Sequence, residues 1–451
     1  MTPPVSAVEP APDKGPVERL LSPLADVRRG ETAGALLLTL LMFFLLGGYY
    51  MLKTAREVFI LSESGAAVKS YASAGQAILL LILVPAYSAF ASRVNRAQLV
   101  TWMPLFFASH VAVFIALVGA GVQIGVPYFL WVGIFNVMVI AQFWAFANDL
   151  YTQEQGKRLF PLIGVGSSLG AWMGSVRAKT LMEAQGPVRL LIGGAALVVI
   201  CVVLARLADR KTVRESGPKK AAAPAEDKVG GGKNGFALLF SDPYLLLIAF
   251  LVLFLNVVNT SGEYLFGRYV VDAATQAYGA GDAAQQARGQ YIGEAYSSFY
   301  GNVNLLGLIL QMFVVSRVFK LLGVGRSLFI HPIVAGAGYL MMLASPSFGA
   351  IRVLKTADNA IDYSLGNTTK QALWLPTSRE AKYKAKQAVD AFFMRAGDVI
   401  QAGTVYLGEL AGFAVPAFAA LNLGLTAGWI AVAAALNRRL RARADAGHGA
   451  L

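Results

Sequence analysis

Apolar residues run through this chain in long stretches that are separated by short polar connections. A helix needs about 20 mostly apolar residues to cross the hydrocarbon core of a bilayer, and twelve stretches approach or exceed that length. They lie at residues 33–60, 66–91, 99–119, 126–148, 160–181, 188–207, 244–266, 291–315, 327–345, 348–374, 388–412 and 416–436. The pattern predicts an all-α integral membrane protein with twelve transmembrane helices, numbered one to twelve in chain order.

The composition excludes a cytosolic protein. Of the 451 residues, 56% are hydrophobic and 14% are charged, whereas soluble globular chains carry about 25% charged residues. The largest polar stretches, 1–32 and 208–243, are too short and too polar to build a core of their own. We therefore expect function to reside in the membrane bundle, and we predict neither an enzyme nor a bound cofactor.

Lysine and arginine are dense in alternate connections between the helices. Lys157, Arg158 and the tail that starts at Arg438 are basic, whereas 120–125 and 345–349 contain no lysine or arginine. Positive residues stay on the cytoplasmic side, so both termini are predicted to be cytoplasmic in a bacterial inner membrane. The formal net charge of +13 then follows from topology, and the lipid bilayer rather than a nucleic acid is the expected partner.

The chain divides into two predicted halves of six helices. A linker at 208–243, with a run of glycine, alanine and lysine, separates 33–207 from 244–436, and tails occupy 1–32 and 437–451. The motif SRVNR after helix two resembles SRVFK after helix eight. Two parallel six-helix repeats are the plan of major-facilitator transporters, which hold substrate near the bilayer midplane between the halves.

Ionisable residues inside these helices are the candidate functional groups, because a charge in a membrane span is costly and marks a site by default. Polar residues of helix ten follow spacings of three and four from Arg352 to Lys370, which puts them on one α-helical stripe. The predicted substrate-binding set is Lys53, Arg56, Asn256, Asn259, Glu263, Arg352, Lys355, Asn359, Asp362, Lys370 and Arg395. Its excess of lysine and arginine favours an anionic substrate, since these residues bind phosphate.

The alternative for any intramembrane charge is that it pairs with another charge as a gate between helices. This interpretation is preferred for Glu57, Glu294, Asp358 and Asp398. A substrate-binding or coupling role is preferred for the helix-ten stripe.

Two further features are assigned to packing. Gly166, Gly170 and Gly174 recur every four residues and predict close contact between helices. His331 lies in an apolar helix without the spacing of a ligand set. We therefore expect packing or a loose polar contact for His331, and no metal site.

Three blocks resemble the ATP/ADP translocases of plastids and obligate intracellular bacteria. WAFANDLYTQEQGKRLFPLIGVGSSLG at 144–170 is similar to their helix-four-to-five segment, and YYMLKTAREVFI at 49–60 to their first helix. YSLGNTTKQALWLPTSREAKYKAKQAVDAFFMRAGDVIQAG at 363–403 is similar to their helix-ten-to-eleven segment. The resemblance spans most of 35–437 and implies a major-facilitator-like nucleotide carrier.

The same resemblance implies roles for individual residues. The family's functional charges fall on Lys53, Arg56, Glu57, Glu154, Glu263, and on Lys370 or Arg395. Glu154 and its neighbour Lys157, at the entry to helix five, are expected to act as gating residues.

Together these features predict a carrier that exchanges ATP and ADP, or a related phosphorylated anion, by alternating access. Two alternatives remain open. One is a proton-coupled symporter of another organic anion, with Glu263 as the proton carrier. The other is a non-transporting scaffold or lipid-handling protein on the same bundle, which would tolerate neutralisation of the helix-ten stripe.

The predicted topology is testable by cysteine labelling. The only cysteine, Cys201, is first removed as Cys201→Ser, and Gly230→Cys is then introduced into the basic linker. We expect this cysteine to react with an impermeant maleimide in inverted vesicles and to stay unlabelled in intact cells. Labelling from the periplasmic side would contradict the model in which both termini are cytoplasmic.

Overall fold

The computed structural model describes residues 15–22, 24–28, 30–91, 94, 96–216, 234–344, 347–378 and 380–445. Its α-helices are α1 Pro16–Leu21, α2 Thr32–Glu63, α3 Gly65–Ala91, α4 Arg96–Gly119, α5 Gly125–Leu150, α6 Gln153–Gln185, α7 Pro187–Ser216, α8 Gly235–Ser241, α9 Pro243–Tyr278, α10 Gln285–Ile309, α11 Val315–Ser327, α12 Ile330–Leu343, α13 Phe348–Ile361, α14 Asn367–Ala372, α15 Lys386–Ala388, α16 Met394–Leu410 and α17 Val415–Asp445. A 3₁₀ turn occupies Asp282–Ala284, and π-helical segments occupy Leu310–Val314, Asp362–Gly366, Ala381–Ala385 and Val389–Phe393.

Helix is present at every one of the twelve positions that the hydrophobic pattern predicts. The all-α prediction is therefore confirmed. Within the described residues, nine helical stretches are long and apolar enough to cross a membrane, and Ile330–Leu343 is a shorter apolar helix. The number of spans, twelve, stays a prediction.

Several helices extend beyond the predicted bounds. Helix seven, predicted to end at 266, continues as α9 to Tyr278 and ends at Gly279, where a φ of +89° suits glycine. α7 runs on to Ser216 and α17 to Asp445, past the predicted limits 207 and 436. The reason is that hydropathy marks the apolar part of a helix, whereas alanine, arginine and lysine sustain helix outside it. Linker residues 217–233 and the tail residues 1–14 and 446–451 lie outside the described chain.

The prediction of one continuous α-helical stripe in helix ten is wrong. α13 ends at Ile361, and the π segment Asp362–Gly366 separates it from α14. A π turn bonds residue i to i+5 instead of i+4. Side chains beyond it, including Lys370, are therefore rotated away from the face that carries Arg352.

α2 is held in the bundle by close contact with α6 and α7 through glycine. A methyl group at Gly170 of α6 would overlap the Phe43 carbonyl of α2, and one at Gly174 would overlap the backbone of Gly47. A methyl group at Gly48 would come within 3.0 Å of the Gly194 carbonyl of α7. The predicted packing role of the glycine ridge is confirmed, since backbones approach this closely only where side chains are absent.

This contact yields a matched pair of substitutions in α6. Gly170→Ala should lower the melting temperature of the detergent-solubilised protein by several degrees, because overpacking costs about 1–3 kcal/mol. Gly164→Ala is the control, since a methyl group there meets nothing within 4 Å. Tryptophan fluorescence on heating measures both, and equal melting temperatures for the two variants would contradict the close contact.

Candidate functional site

A polar cavity of about 330 Å³ lies in the middle of the bundle. Its walls come from α2, α3, α5, α9, α10, α16 and the π segment Asp362–Gly366. The lining residues include Tyr49, Lys53, Arg56, Lys69, Asn259, Glu263, Tyr300, Tyr363 and Arg395. Five predicted substrate-binding residues thus share one cavity: Lys53, Arg56, Asn259, Glu263 and Arg395.

Glu57 anchors the basic residues on one side of this cavity. Its carboxylate is fully buried, forms an ion pair with Arg56, and lies 2.7 Å from the Lys69 Nζ. The Tyr300 hydroxyl donates a hydrogen bond of 3.1 Å to the same carboxylate. A buried charge is stable only when paired and hydrogen-bonded, so Glu57 and its partners form one unit that links α2, α3 and α10.

Lys69 is a functional candidate that the sequence reasoning missed. It is buried in α3, and its Nζ lies 2.7 Å from Glu57 and 3.9 Å from Glu263 of α9. Lys69 therefore connects the two carboxylates across the cavity. The signal that could have found it is the one used for helix ten, a lone ionisable residue within a predicted span.

Glu263 faces cationic and amide groups on helix ten. Asn359 donates a hydrogen bond of 2.8 Å to its Oε1, and the Lys355 Nζ lies 3.9 Å from the same oxygen. Lys355 also donates to Asn259 at 2.8 Å and pairs with Asp358 at 2.9 Å. Lys355 and Asn359 do not line the cavity themselves but hold two residues that do.

The ionic network continues away from the cavity to the end of helix ten. His331 Nε2 lies 3.1 Å from Asp358, and Lys370 pairs with Asp362 at 3.5 Å. Asp362 and Lys370, both predicted to bind substrate, thus contact each other rather than the cavity, and Asp362 lies 3.9 Å from His331. In the described chain, no group of three or more His, Cys, Asp or Glu residues is arranged to hold a metal ion.

Lys53, which is partly buried, differs from the other cations around the cavity. Its Nζ lies 4.2 Å from the centre of the Tyr300 ring and 5.2 Å from that of Tyr50. No carboxylate of a described residue lies within 4.0 Å of it, whereas Arg56, Lys69 and Lys355 each have one. Lys53 is therefore a cation inside the cavity that is held by aromatic faces.

The predicted residues Asn256, Asp398 and Arg395 form a chain of contacts, whereas Arg352 lies apart from them. Asn256 donates a hydrogen bond of 2.8 Å to Asp398, which also lies 3.4 Å from Arg395. Asn256 is thus part of the contact between α9 and α16 and is absent from the cavity wall. Arg352 lies near the start of α13, also outside the cavity wall.

The remaining predicted gating residues lie away from the cavity. Glu154 is exposed and lies 3.4 Å from Arg28. Glu294 accepts a hydrogen bond of 3.2 Å from Gln290 of the same helix. The side chain of Lys157 lies outside the described part of the structure.

The entry to α6 is organised by polar contacts to Glu31, just before α2. Arg158 pairs with Glu31 at 2.8 Å, and Gln155 donates to it at 3.1 Å. Burial raises the pKa of the Glu31 carboxyl, but the hydrogen bonds from Arg158, Arg28 and Gln155 outweigh burial and leave the pKa below its usual value. Glu31 therefore stays ionised and fixes this end of α6 against α2.

Positive charge exceeds negative charge around the cavity. The cavity and its adjoining network contain the basic residues Lys53, Arg56, Lys69, Lys355, Lys370 and Arg395 and the acidic residues Glu57, Glu263, Asp358, Asp362 and Asp398. Counting lysine and arginine against aspartate and glutamate, six cations face five anions. The surplus, and the lack of a carboxylate beside Lys53, suit an anionic ligand.

A second cavity of about 510 Å³ adjoins the first. Its walls are Pro161 to Ala171 of α6, Val303 to Leu308 of α10, and the π segment Leu310–Val314, with further residues from α2 and α14. Tyr363 lines both cavities. α6 and α10 come together at the end of this cavity, where the lining residue Asn304 donates to Ser175 at 3.3 Å. The two cavities therefore meet at the Tyr363 ring.

The pairing of Glu57 makes a prediction about stability. Glu57→Gln leaves Arg56 and Lys69 without their nearest anion, and breaking a buried pair costs about 3–5 kcal/mol. Glu183→Gln is the control, because it removes an exposed i,i+4 partner of Lys179, worth about 0.5 kcal/mol or less. We expect a large fall in melting temperature for the first variant only, and equal small effects would contradict a buried ionic unit.

Relatives of this chain are found among the ADP,ATP carrier proteins of Chlamydia and Rickettsia. No family model matches the chain. ADP,ATP carrier protein 1 of Chlamydia pneumoniae is 23% identical over 353 residues, which are 67% of this chain and 64% of that protein. ADP,ATP carrier protein 4 of Rickettsia bellii is 23% identical over 329 residues, 62% of this chain and 58% of that protein. The chain thus spans less than two thirds of the length of these relatives.

Solved structures show the same architecture. A bacterial homologue of the iron transporter ferroportin, in an inward-facing state, has a TM-score of 0.59 at 15% identity, with 88% of this chain and 98% of that chain covered. The nucleoside transporter NupG has a TM-score of 0.61 at 12% identity, with 89% and 98% covered. Both are major-facilitator transporters. This chain is therefore a multi-pass membrane protein with the major-facilitator fold and a distant homologue of the ADP,ATP carrier proteins.

Proposed function

We propose that this protein is a transporter that exchanges ATP and ADP, or a related phosphorylated anion, across a bacterial inner membrane. The observation that carries the proposal is the central cavity in which Lys53 has no carboxylate partner and lies beside the Arg56–Glu57–Lys69 unit. A cation among membrane-spanning helices with no carboxylate in direct contact is costly. It is explained if an anionic substrate supplies the missing charge.

Arg56 and Lys69 add two positive charges to the site beside Lys53. Arg56 and Lys69 both line the cavity and share the Glu57 carboxylate. Phosphate oxygens that enter the cavity can compete with Glu57 and Glu263 for these cations. Such competition suits a polyphosphate, because it carries several negative charges. These charges can take the place of Glu57 and Glu263, which neutralise the cations when the cavity is empty.

Aromatic side chains supply the surface that a nucleoside would need. Tyr49, Phe129, Tyr264, Tyr300 and Tyr363 line the same cavity. Aromatic faces stack on planar rings at a separation of a few ångströms, so a base can pack beside the cationic region. The names of the homologous ADP,ATP carriers from Chlamydia and Rickettsia support the same substrate class.

Alternating access is supported by the way the helices separate. On one side of the cavity α3 and α16 are joined by a hydrogen bond of 3.2 Å from Gln401 to Ser70, and α6 and α10 by the Asn304–Ser175 bond. On the other side the second cavity separates α6 from α10. That side leads to the basic connections, so with both termini in the cytoplasm the structure corresponds to an inward-open state.

Purified protein tests the binding site. ADP at 100 times its Kd should stabilise the folded state by about 2.7 kcal/mol, and the rise in melting temperature should be lost in Lys53→Gln. Lys179→Gln is the matched control, because Lys179 is half exposed and pairs only within α6 among the described residues. ATP and inorganic phosphate serve as comparison ligands.

Proteoliposomes test the transport mode. Uptake of labelled ATP should require internal ADP or ATP, and Lys53→Gln should reduce the rate while Lys179→Gln does not. Uptake into empty vesicles would contradict exchange and favour symport. A protein that binds none of these ligands and moves no anion would be consistent with the scaffold alternative and would overturn the proposal.

A further inference from the structure

A buried imidazole lies between two carboxylates at the far end of the ionic network. His331 of α12 is 5% exposed, its Nε2 lies 3.1 Å from Asp358 Oδ1, and its Nδ1 lies 3.9 Å from Asp362 Oδ1. The ring contacts the edge of Trp429 of α17 at a centroid distance of 4.9 Å. The proposed transport mechanism uses none of these groups.

The two ring nitrogens have unequal surroundings. A neutral imidazole has one N–H donor and one lone pair, and an ionised carboxylate only accepts. Nε2 must therefore donate to Asp358, which leaves the Nδ1 lone pair facing the Asp362 carboxylate. Nδ1 is buried and has no hydrogen-bond partner. A proton on Nδ1 would turn this repulsive contact between two acceptors into an attraction.

Among the described residues, Asp358 of α13 and Asp362 of the π segment lie beside the nitrogens of His331, and Trp429 of α17 contacts its ring. The small cavity next to the ring is also lined by Leu255 of α9, Ser327 of α11, and Thr369 and Lys370 of α14. Behind Asp358 lies Lys355. Two lysines balance two aspartates, so the described cluster carries no net charge until His331 is protonated.

Asp358 connects this cluster to the central cavity. Its Oδ1 faces His331, whereas its Oδ2 lies 2.9 Å from the Lys355 Nζ. The Lys355 Nζ also lies 2.8 Å from Asn259 Oδ1 and 3.9 Å from Glu263, and both of these residues line the cavity. A positive charge on His331 weakens the hold of Asp358 on Lys355. The positive potential of Lys355 at the cavity-lining residues Asn259 and Glu263 then increases.

We propose that His331 is a proton-binding site, and that its proton is taken up together with the anion in the central cavity. The coupling runs from His331 through Asp358 to Lys355. The π segment contributes because it sets Asp362 against Nδ1, and π segments are frequent at functional sites. The proton site stands independently, whereas its coupling to a nucleotide rests on the proposed function. It also differs from symport through Glu263, which is held by Lys355 and Asn359.

The proton site is tested without any substrate. The chain has three histidines, His110, His331 and His448, so ¹⁵N-histidine spectra of the purified protein are simple, and His331→Gln identifies the resonance of interest. We expect that ring to be doubly protonated within the range pH 5 to 8 and to carry its proton on Nε2 when it is neutral. A ring that remains neutral throughout the range, or that carries the neutral-state proton on Nδ1, overturns the proposal.

Coupling is tested by proton uptake on addition of ATP to weakly buffered protein with a pH indicator. The wild type should take up protons as ATP binds, and His331→Gln should bind ATP with this uptake lost. His110→Gln is the matched control, because that ring bonds the Phe106 carbonyl of its own helix and lines neither cavity. Equal uptake by wild type and His331→Gln, or ATP binding without uptake in the wild type, overturns the coupling.

The role of His331 can still be tested if His331→Gln does not fold or if no nucleotide binds. If His331→Gln does not fold, Asp362→Asn removes the carboxylate that faces Nδ1, and the uptake should again be lost. If neither ATP, ADP nor phosphate binds, the proposed function is wrong, and the histidine spectra still decide whether His331 binds a proton.

Discussion

Pairing of the carboxylates inside the helix bundle is the constraint on which the rest of the structure depends. Glu57 and Glu263 lie within helices that cross the bundle, and an unpaired charge there would be costly. Lys69 lies 2.7 Å from one and 3.9 Å from the other. The position of α3 relative to α2 and α9 therefore follows from charge neutralisation, in addition to the packing of apolar faces.

The same pairing makes the cavity suitable for an anion that binds and leaves. Arg56 and Lys69 are kept in place by Glu57, so they need no large rearrangement when the cavity is empty. In the proposed mechanism, an entering anion takes over Arg56 and Lys69 from Glu57 and supplies the negative charge that Lys53 lacks. Glycine contacts fix α2 against α6 and α7, whereas polar contacts such as Gln401–Ser70 join α3 to α16. In the proposed alternating-access mechanism, the polar contacts are the ones that would separate, because their groups can bond to water once the helices part.

The π segment Asp362–Gly366 joins features that a regular helix would keep apart. It contributes Tyr363 to both cavities and Asp362 to the contact with His331. Gly366 packs against the His331 ring, since a methyl group there would lie 3.1 Å from Nδ1. The conformation of helix ten therefore determines the cavity wall and the histidine site together.

The sequence by itself determined the positions of the helices, the all-α membrane fold and the resemblance to nucleotide carriers. It did so because hydrophobic length and short motifs are local properties. Only the tertiary structure decided which charges meet. The stripe from Arg352 to Lys370 was drawn with regular α-helical geometry, and the π segment divided it, so that Lys370 contacts Asp362 instead of the cavity. Helical spacing orders residues on one helix but does not fix the rotation of that helix towards its neighbours. The contacts of Lys69 with Glu57 and Glu263, and of Asn256 with Asp398, therefore depend on how the helices pack and could not be predicted from spacing.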